Sequence, residues 1–433
     1  MLTRSVFIGF VICFALFVFV TSGIVCGADR DAPRKVDDGF QVLPQDWPWW
    51  RGPLRNGTAT ADQDPPLTWS ETENVVWKVP VAGRGYSSPI VVGQKVFLAS
   101  ADESTGAQYV LAFDRETGNP LWRTVVHESG GMRKNNKSTM ASSTLACDGQ
   151  RLFINFPNSD ALFTTALDLD GNKEWETRLS SYVVHQGYGA SPTLYQNLVI
   201  VSSDNKGGGV LAGLEAATGK LVWEQKRRAT PNYPSPTLVQ VGGRDQVIMV
   251  GCDQVVSYAP LTGEKLWEIE GATTECVTST LTDGNLIYTS GGYPRNHMSA
   301  IRADGNPEVV WENATRLYVP SMVIRDGYLY GVLDAGIATC WEAATGNEMW
   351  KARLGGTFSS SAVLVGERIY ATNEAGETFV FKAQPTSYEL LSKTELGTEV
   401  LATPTIVGGR IYHRVAHLSP TGDRQEMLYC IGK

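Results

Sequence analysis

The chain has 433 residues, a formal net charge of −8 and only five histidines. This acidic balance, with no basic tract longer than Lys226-Arg227-Arg228, leaves no electrostatic case for nucleic-acid binding. Forty-four glycines and the lack of any useful helical periodicity point to a turn-dense, all-β protein.

At the N-terminus, Arg4 precedes an apolar run over residues 6–20, and small residues continue to Ala28. This is the pattern of a secretory signal peptide cleaved after Cys26-Gly27-Ala28. Two other readings stay open: an uncleaved anchor reaching Val25, and a lipid-modified Cys26, for which Val25 is a poor neighbour. All three place the remainder in a periplasmic or other extracytoplasmic space, with the membrane reached only through this segment. Residues 29–74 read as a linker. Within it, Asp46-Trp47-Pro48-Trp49-Trp50-Arg51-Gly52-Pro53 would be insoluble if exposed. It is expected to pack on the surface of the following domain or over one mouth of it; a sugar- or partner-binding aromatic patch is the alternative.

From Trp77 onward one phrase recurs. Its full form is Ala112-Phe113-Asp114-Arg115-Glu116-Thr117-Gly118-Asn119-Pro120-Leu121-Trp122, repeated at 213–223, 257–267 and 340–350, with one-residue length changes at 166–175 and 300–311. Each copy reads as strand, tight turn, strand. The turns are Thr117-Gly118, Asp170-Gly171, Thr218-Gly219, Thr262-Gly263, Asp304-Gly305 and Thr345-Gly346. Trp77, Trp122, Trp175, Trp223, Trp267, Trp311 and Trp350 lie 39 to 53 residues apart, the period of a repeat architecture. Large flat rings repeated once per unit are expected to dock neighbouring sheets together. In the seventh unit, Tyr388-Glu389-Leu390-Leu391 is expected to put a leucine in the tryptophan slot.

A second periodic signal lies between the tryptophans. Ser88, Ser142, Ser191, Ser235, Thr278, Ser321, Ser361 and Thr403 align, followed by proline or a small residue in all units but that of Met322. Small residues at one place in every unit suggest an innermost strand, where sheets converge on an axis. The last unit stops at Tyr429-Cys430-Ile431-Gly432-Lys433 after its third strand, and residues 75–81 are available as the fourth. The expectation is an all-β, eight-bladed β-propeller over residues 75–433, built of four-stranded antiparallel blades and closed by an N-terminal strand.

Cys147, Cys252, Cys276, Cys340 and Cys430 follow Ala28 at wide spacing and without a CxxC, which excludes a disulfide framework and a zinc ribbon. A Cys252–Cys276 bridge between adjoining units is the one pairing considered. His413 and His417 fall on a strand and its following loop, about 13 Å apart, too far for a shared metal. Ser203-Asp204-Asn205 and Gly207-Gly208-Gly209 read as turns. Residues just before each inner strand should rim the channel: Arg84, Tyr86, Asn136, Lys137, His185, Tyr188, Asn232, Tyr233, Glu275, Tyr318, Phe358 and Glu399. Polar groups among aromatics suit a ligand pocket; a hydrated loop face is the plain alternative.

The phrase at 112–122 resembles the tryptophan-docking motif of the pyrroloquinoline-quinone (PQQ) repeat family, and the likeness runs from about residue 47 to the C-terminus. That family includes eight-bladed quinoprotein alcohol dehydrogenases and BamB-like assembly lipoproteins of bacterial envelopes. The dehydrogenases imply a quinone in the central funnel against a calcium ion held by Glu, Asn and Asp oxygens, capped by adjacent cysteines. This chain has no adjacent cysteines, no Cys-x-x-Cys-His for a haem and no long insertions. Glu275 and Asn232 are the residues that could converge on a calcium. The BamB-like members imply a scaffold that binds other envelope proteins through its loops.

The expected function is therefore a monomeric, exported, non-catalytic scaffold that binds an envelope protein or a small ligand at the propeller mouth. No catalytic, cofactor or metal residue is assigned. A PQQ- and calcium-dependent oxidoreductase of small alcohols or sugars is the alternative, and a carbohydrate-binding module using residues 47–50 is a third.

Overall fold

The computed structural model describes residues 1–2, 38–60, 62–133, 135–303 and 306–433; the leader with its Cys26, most of the charged spacer and the Asp304-Gly305 turn lie outside the described residues. Strands fill eight four-stranded antiparallel sheets, and no helix occurs among the described residues. Blades 1 to 7 are continuous in sequence, at residues 90–127, 146–181, 193–227, 237–270, 281–313, 323–353 and 363–395. Blade 8 combines Thr405–Val407, Arg410–Leu418 and Arg424–Ile431 with Val75–Pro80, whose Trp77 lies opposite Cys430. The ring of an eight-bladed propeller is thus closed by the N-terminal strand. Each sheet keeps only two short edges, one toward the axis and one on the outside.

The recurring phrase is the seam between blades. Trp77 donates its indole N–H to the Arg115 carbonyl of blade 1 at 2.9 Å, Trp122 to Leu169 of blade 2 at 3.1 Å, and Trp175 to Ala216 of blade 3 at 3.0 Å. Trp223, Trp311 and Trp350 repeat the bond to Pro260, Ala343 and Gln384. Trp267 is the exception and donates to Gln246 within its own blade. For Trp77, Trp122, Trp175, Trp223 and Trp311 the ring face lies on the turn glycine of the next blade. At Gly118 φ is +73°, and a Cβ would stand 2.6 Å from the Trp77 ring, so two constraints select glycine there. Each ring also covers the residue paired with it across the strand, which explains why that residue is small: Ala112 with Trp122, Gly213 with Trp223, Cys340 with Trp350. A bulge follows this pair in each of these blades.

Blade 7 corrects the expectation of a leucine in the tryptophan slot. There Val380 pairs with Ser392, Phe381 pairs with Leu390, and the bulge falls between them. Ser392 is the register equivalent of the tryptophans, and Leu390 is exposed. The missing bulk comes from outside the repeat: Trp69 is buried in the cluster that includes Val380, Leu396 and Tyr412. Its backbone exchanges hydrogen bonds with Thr394, while Ser392 donates to the Leu67 carbonyl at 2.5 Å.

Around the axis, inner strands are linked by backbone N–H groups that donate to the hydroxyl of the next blade. The chain of bonds runs Ser88 to Thr144, Thr144 to Ser191, and Ser191 to Ser235 at 2.8–3.0 Å. It resumes from Ser279 to Ser321, Ser361 and Thr403. The ring members in blades 2 and 5 are therefore Thr144 and Ser279, two and one positions beyond the expected Ser142 and Thr278. All five cysteines are buried and free, so Cys252 and Cys276 are not bridged.

The segment before the propeller crosses one end of the axis. Trp47 makes a two-bond bridge with Val91, Cys147 donates its N–H to Pro48, and Thr58 bridges Leu364 on the far side. Arg51 donates to the carbonyls of Ala362 at 2.8 Å and Met322 at 2.6 Å, tying blades 6 and 7 to the segment. Burial lowers its pKa to about 9. Arg55 pairs with Asp38 at 2.8 Å, donates to Leu194 and lies 3.9 Å over the Trp49 ring. Trp47 and Trp49 are each 3% exposed, so they form no surface patch for a sugar. Trp50 alone turns toward the axis, where its indole N–H takes the hydroxyl of Ser279 at 2.8 Å.

Candidate functional site

The axial cavity opens at the end opposite this segment. It holds about 440 Å³, with Trp50 among its lining and Ser88, Thr144, Ser191, Ser235, Ser361 and Thr403 of the inner ring around it. Its upper wall comes from the connections that lead from the outer strand of one blade to the inner strand of the next. That is where a chain pinned by two rigid sheets must turn on the surface, and where propeller side chains converge.

Of the residues expected at the mouth, Tyr86, Lys137, His185, Tyr188, Tyr233, Glu275 and Tyr318 line this space. Glu275 is only 4% exposed. Its carboxylate accepts from the Tyr318 hydroxyl at 3.3 Å and lies 3.4 Å from His185 Nδ1, which is also 3.1 Å from the Tyr233 hydroxyl. Burial first, and then the Glu275 charge, push the Tyr233 and Tyr318 hydroxyls well above the ordinary phenol range, so both stay protonated donors. Tyr188 presents its ring, while its hydroxyl donates into blade 3, to the Ser202 carbonyl at 2.9 Å.

A long connection, residues 128–145, lies over the mouth. Asn135 and Ser138 bond to Gln186, and Lys137 reaches Glu374 of blade 7 at 2.7 Å. Arg84 and Glu399 stand to one side of the cavity in a charged rim cluster. Tyr86 donates to Glu399 at 3.0 Å, Arg424 pairs with it at 2.7 Å, and Arg84 bridges Glu103 at 3.1 Å. Burial raises the Tyr86 pKa to about 12 despite Arg84.

Two expected rim residues are elsewhere. Asn232 is buried in the seam between blades 4 and 5, where it donates to Asp204 and the Val250 carbonyl and accepts from the Cys276 N–H. Asp204 is meanwhile held by Arg227 at 2.9 Å, with both side chains 2% exposed. Phe358 is buried against Phe379. Sequence reasoning missed Trp50 as a floor, and also Asn135, Gln186 and Tyr293, which line the cavity from irregular connections with no repeat signal.

The sequence pattern of a family described as outer membrane protein assembly factor BamB matches residues 56–161 and 106–352. The chain belongs to this PQQ-repeat family. An outer membrane protein assembly factor BamB of Yersinia pestis is 21% identical over 301 residues, 69% of this chain. The match spans 65% of that relative's length, just under two thirds. Among solved structures, BamB from Moraxella catarrhalis superposes with a TM-score of 0.57 at 14% identity, covering 82% of this chain and 96% of that one. A quinohemoprotein alcohol dehydrogenase from Comamonas testosteroni gives 0.64 at 13% identity, covering 90% and 81%. At such identities the likeness to the solved structures is one of fold, which both kinds of PQQ-repeat protein share with this one.

The cavity's donor set distinguishes the two. A pyrroloquinoline quinone is a polycarboxylate and calls for cations around it. Here the lining acid is Glu275, and the lining lysine, Lys137, is already tied to Glu374. Calcium takes about six to eight oxygens, yet the amide of Asn232 is spent inside the seam. Among the described residues no group of three or more His, Cys, Asp or Glu could hold a metal. The described lining therefore offers no ready-made site for quinone or calcium.

Proposed function

We propose that this PQQ-repeat propeller is an exported, non-catalytic binding scaffold of the cell envelope that takes an envelope protein or a small ligand at its open mouth. The observation that carries the reading is the asymmetry of the axial cavity: residues 38–60 and 62–69 cross one end, and the other opens among Tyr86, His185, Tyr233 and Tyr318. Membership of a family described as an outer membrane assembly factor supports it, as does the apolar leader at residues 6–20. A protein partner would meet the rim cluster of Arg84, Glu399 and Arg424 and the connection at 128–145, while a small ligand would enter between Tyr86 and Tyr233.

The test has two arms. Purified protein is titrated with PQQ and calcium while quinone absorbance and dye-linked alcohol or glucose oxidation are followed; tight binding with turnover would sink the scaffold reading. Capture of partners from envelope extract is then compared between the natural chain and Tyr86→Ala, Tyr233→Ala and Tyr318→Ala. The substitutions are expected to deplete specific partners, and an unchanged set would rule out the mouth as the binding surface.

A further inference from the structure

The polar groups of the cavity are not equally committed. The Tyr86 hydroxyl is spent on Glu399 and that of Tyr188 on Ser202; Lys137 is held by Glu374, and the Asn135 amide by Gln186. The hydroxyls of Thr144, Ser191 and Ser235 accept the N–H groups of the preceding blades, while that of Ser88 has no partner among the described residues. A polyol would find spare hydroxyl capacity at this ring, and an anion would meet Lys137 only in its pair with Glu374 and Arg316 only where it lies over the Tyr318 ring at 5.5 Å. Glu275 is different. A carboxylate offers about four acceptor positions, and this one, though nearly buried, is approached only by Tyr318 and His185. Among the described residues no lysine or arginine lies within salt-bridge distance of it. A buried charge without full compensation is costly and is met in folded proteins by pairing. Tyr233 and Tyr318 stand beside the acid and Trp50 across the lining, which also includes Val277, Val319, Leu401 and the small hydroxyls of the inner ring.

We propose that the cavity binds a small organic cation, with an alkylammonium head set against Glu275 between the rings of Tyr233 and Tyr318 and its body toward Trp50. Ring faces attract a cation electrostatically, and more strongly where water is excluded. The volume of about 440 Å³ falls within the range of small-molecule pockets. This assignment rests on the reading of the mouth as a binding site and names the chemistry that the site selects.

Calorimetric titration of the full chain with choline and with n-hexylamine tests it, beside 3,3-dimethylbutan-1-ol as the neutral isostere of choline and glucose as a polyol. The cations are expected to bind roughly tenfold or more tighter than the isostere. Glu275→Gln should reduce choline to the isostere's level, while Tyr233→Phe, which keeps the ring, should retain most of the affinity and Tyr233→Leu should lose it. Thermal melts of each variant separate loss of binding from loss of fold. Equal binding of choline and its isostere, an unaffected Glu275→Gln, or glucose binding where neither cation binds would overturn the cation assignment and leave the mouth reading intact. No heat with any probe, together with unchanged partner capture by Tyr86→Ala, would overturn both.

Discussion

The two ends of the axial channel are built from the same kinds of residue and put them to opposite uses. At the sealed end Trp47 and Trp49 are buried, and the Nη atoms of Arg51 and Arg55 donate to backbone carbonyls or to Asp38, while Arg51 Nε and the Trp49 indole N–H have no partner among the described residues. At the open end the tyrosines keep a face toward the cavity, and Glu275 keeps acceptor positions without donors. Aromatic and charged residues at a propeller axis therefore do not by themselves mark a site. What marks one is an open cavity that such groups line, as at the mouth.

The largest effect is expected at the sealed end. Trp49 is 3% exposed, packs edge-on against Phe40 at 5.9 Å and carries Arg55 over its face at 3.9 Å. Trp49→Ala should cost about 3–5 kcal/mol in urea unfolding, the usual range for emptying a large aromatic site. The folded fraction should bind mouth ligands as before. A variant that kept its stability but lost mouth binding would break the division between seal and site.

Acid gives a second and smaller test, because it separates charges in the blades from those at the mouth. His413 is buried in blade 8 and neither ring nitrogen has a hydrogen-bond partner among the described residues; burial lowers its pKa from 6.5 to about 4. The unfolded chain then takes up a proton before the folded one does. Stability from this group is complete above about pH 6.5 and is lost as pH falls toward 4, by about 3 kcal/mol in all. His413→Leu should flatten that limb of a stability-versus-pH curve measured by denaturant melts. An unchanged limb would show that His413 is not the source of the acid sensitivity.

The repeat made the propeller readable, and the same physics shows where reading stopped. The tryptophan, its opposing small residue and its turn glycine are one device, so each copy reinforces the others and the blade count follows. The register slips occurred where the chemistry is degenerate. Ser142-Ser143-Thr144 and Thr278-Ser279-Thr280 each offer three hydroxyls in a row, any of which could accept the inter-blade N–H. Only the neighbouring blades select Thr144 and Ser279. In blade 7 the slot holds Ser392 because Trp69, more than 300 residues earlier in sequence, already fills the seam. Asn232 and Tyr233 could not be told apart by position either; side chains alternate along an extended chain, and one faces the seam while the other faces the cavity.

The smallest effect should come from the latch across the mouth, and it is the one that sharpens the contrast most. Lys137 reaches from the connection at 128–145 to Glu374 of blade 7, with more than half of its side chain exposed. A pair of this kind contributes about 0–1 kcal/mol and weakens with salt, so Lys137→Ala should shift the melting temperature by no more than a degree or two. Yet the pair spans the opening through which any ligand must pass. If the connection is a lid held by this contact, Lys137→Ala should speed association and release of a mouth ligand by a similar factor, leaving affinity nearly unchanged in stopped-flow measurements. Raised salt should mimic the substitution in the natural chain and do nothing further in the variant. A change in the release rate alone, and with it in affinity, would instead make Lys137 part of the binding wall, because a gate alters both directions of passage equally and a contact does not.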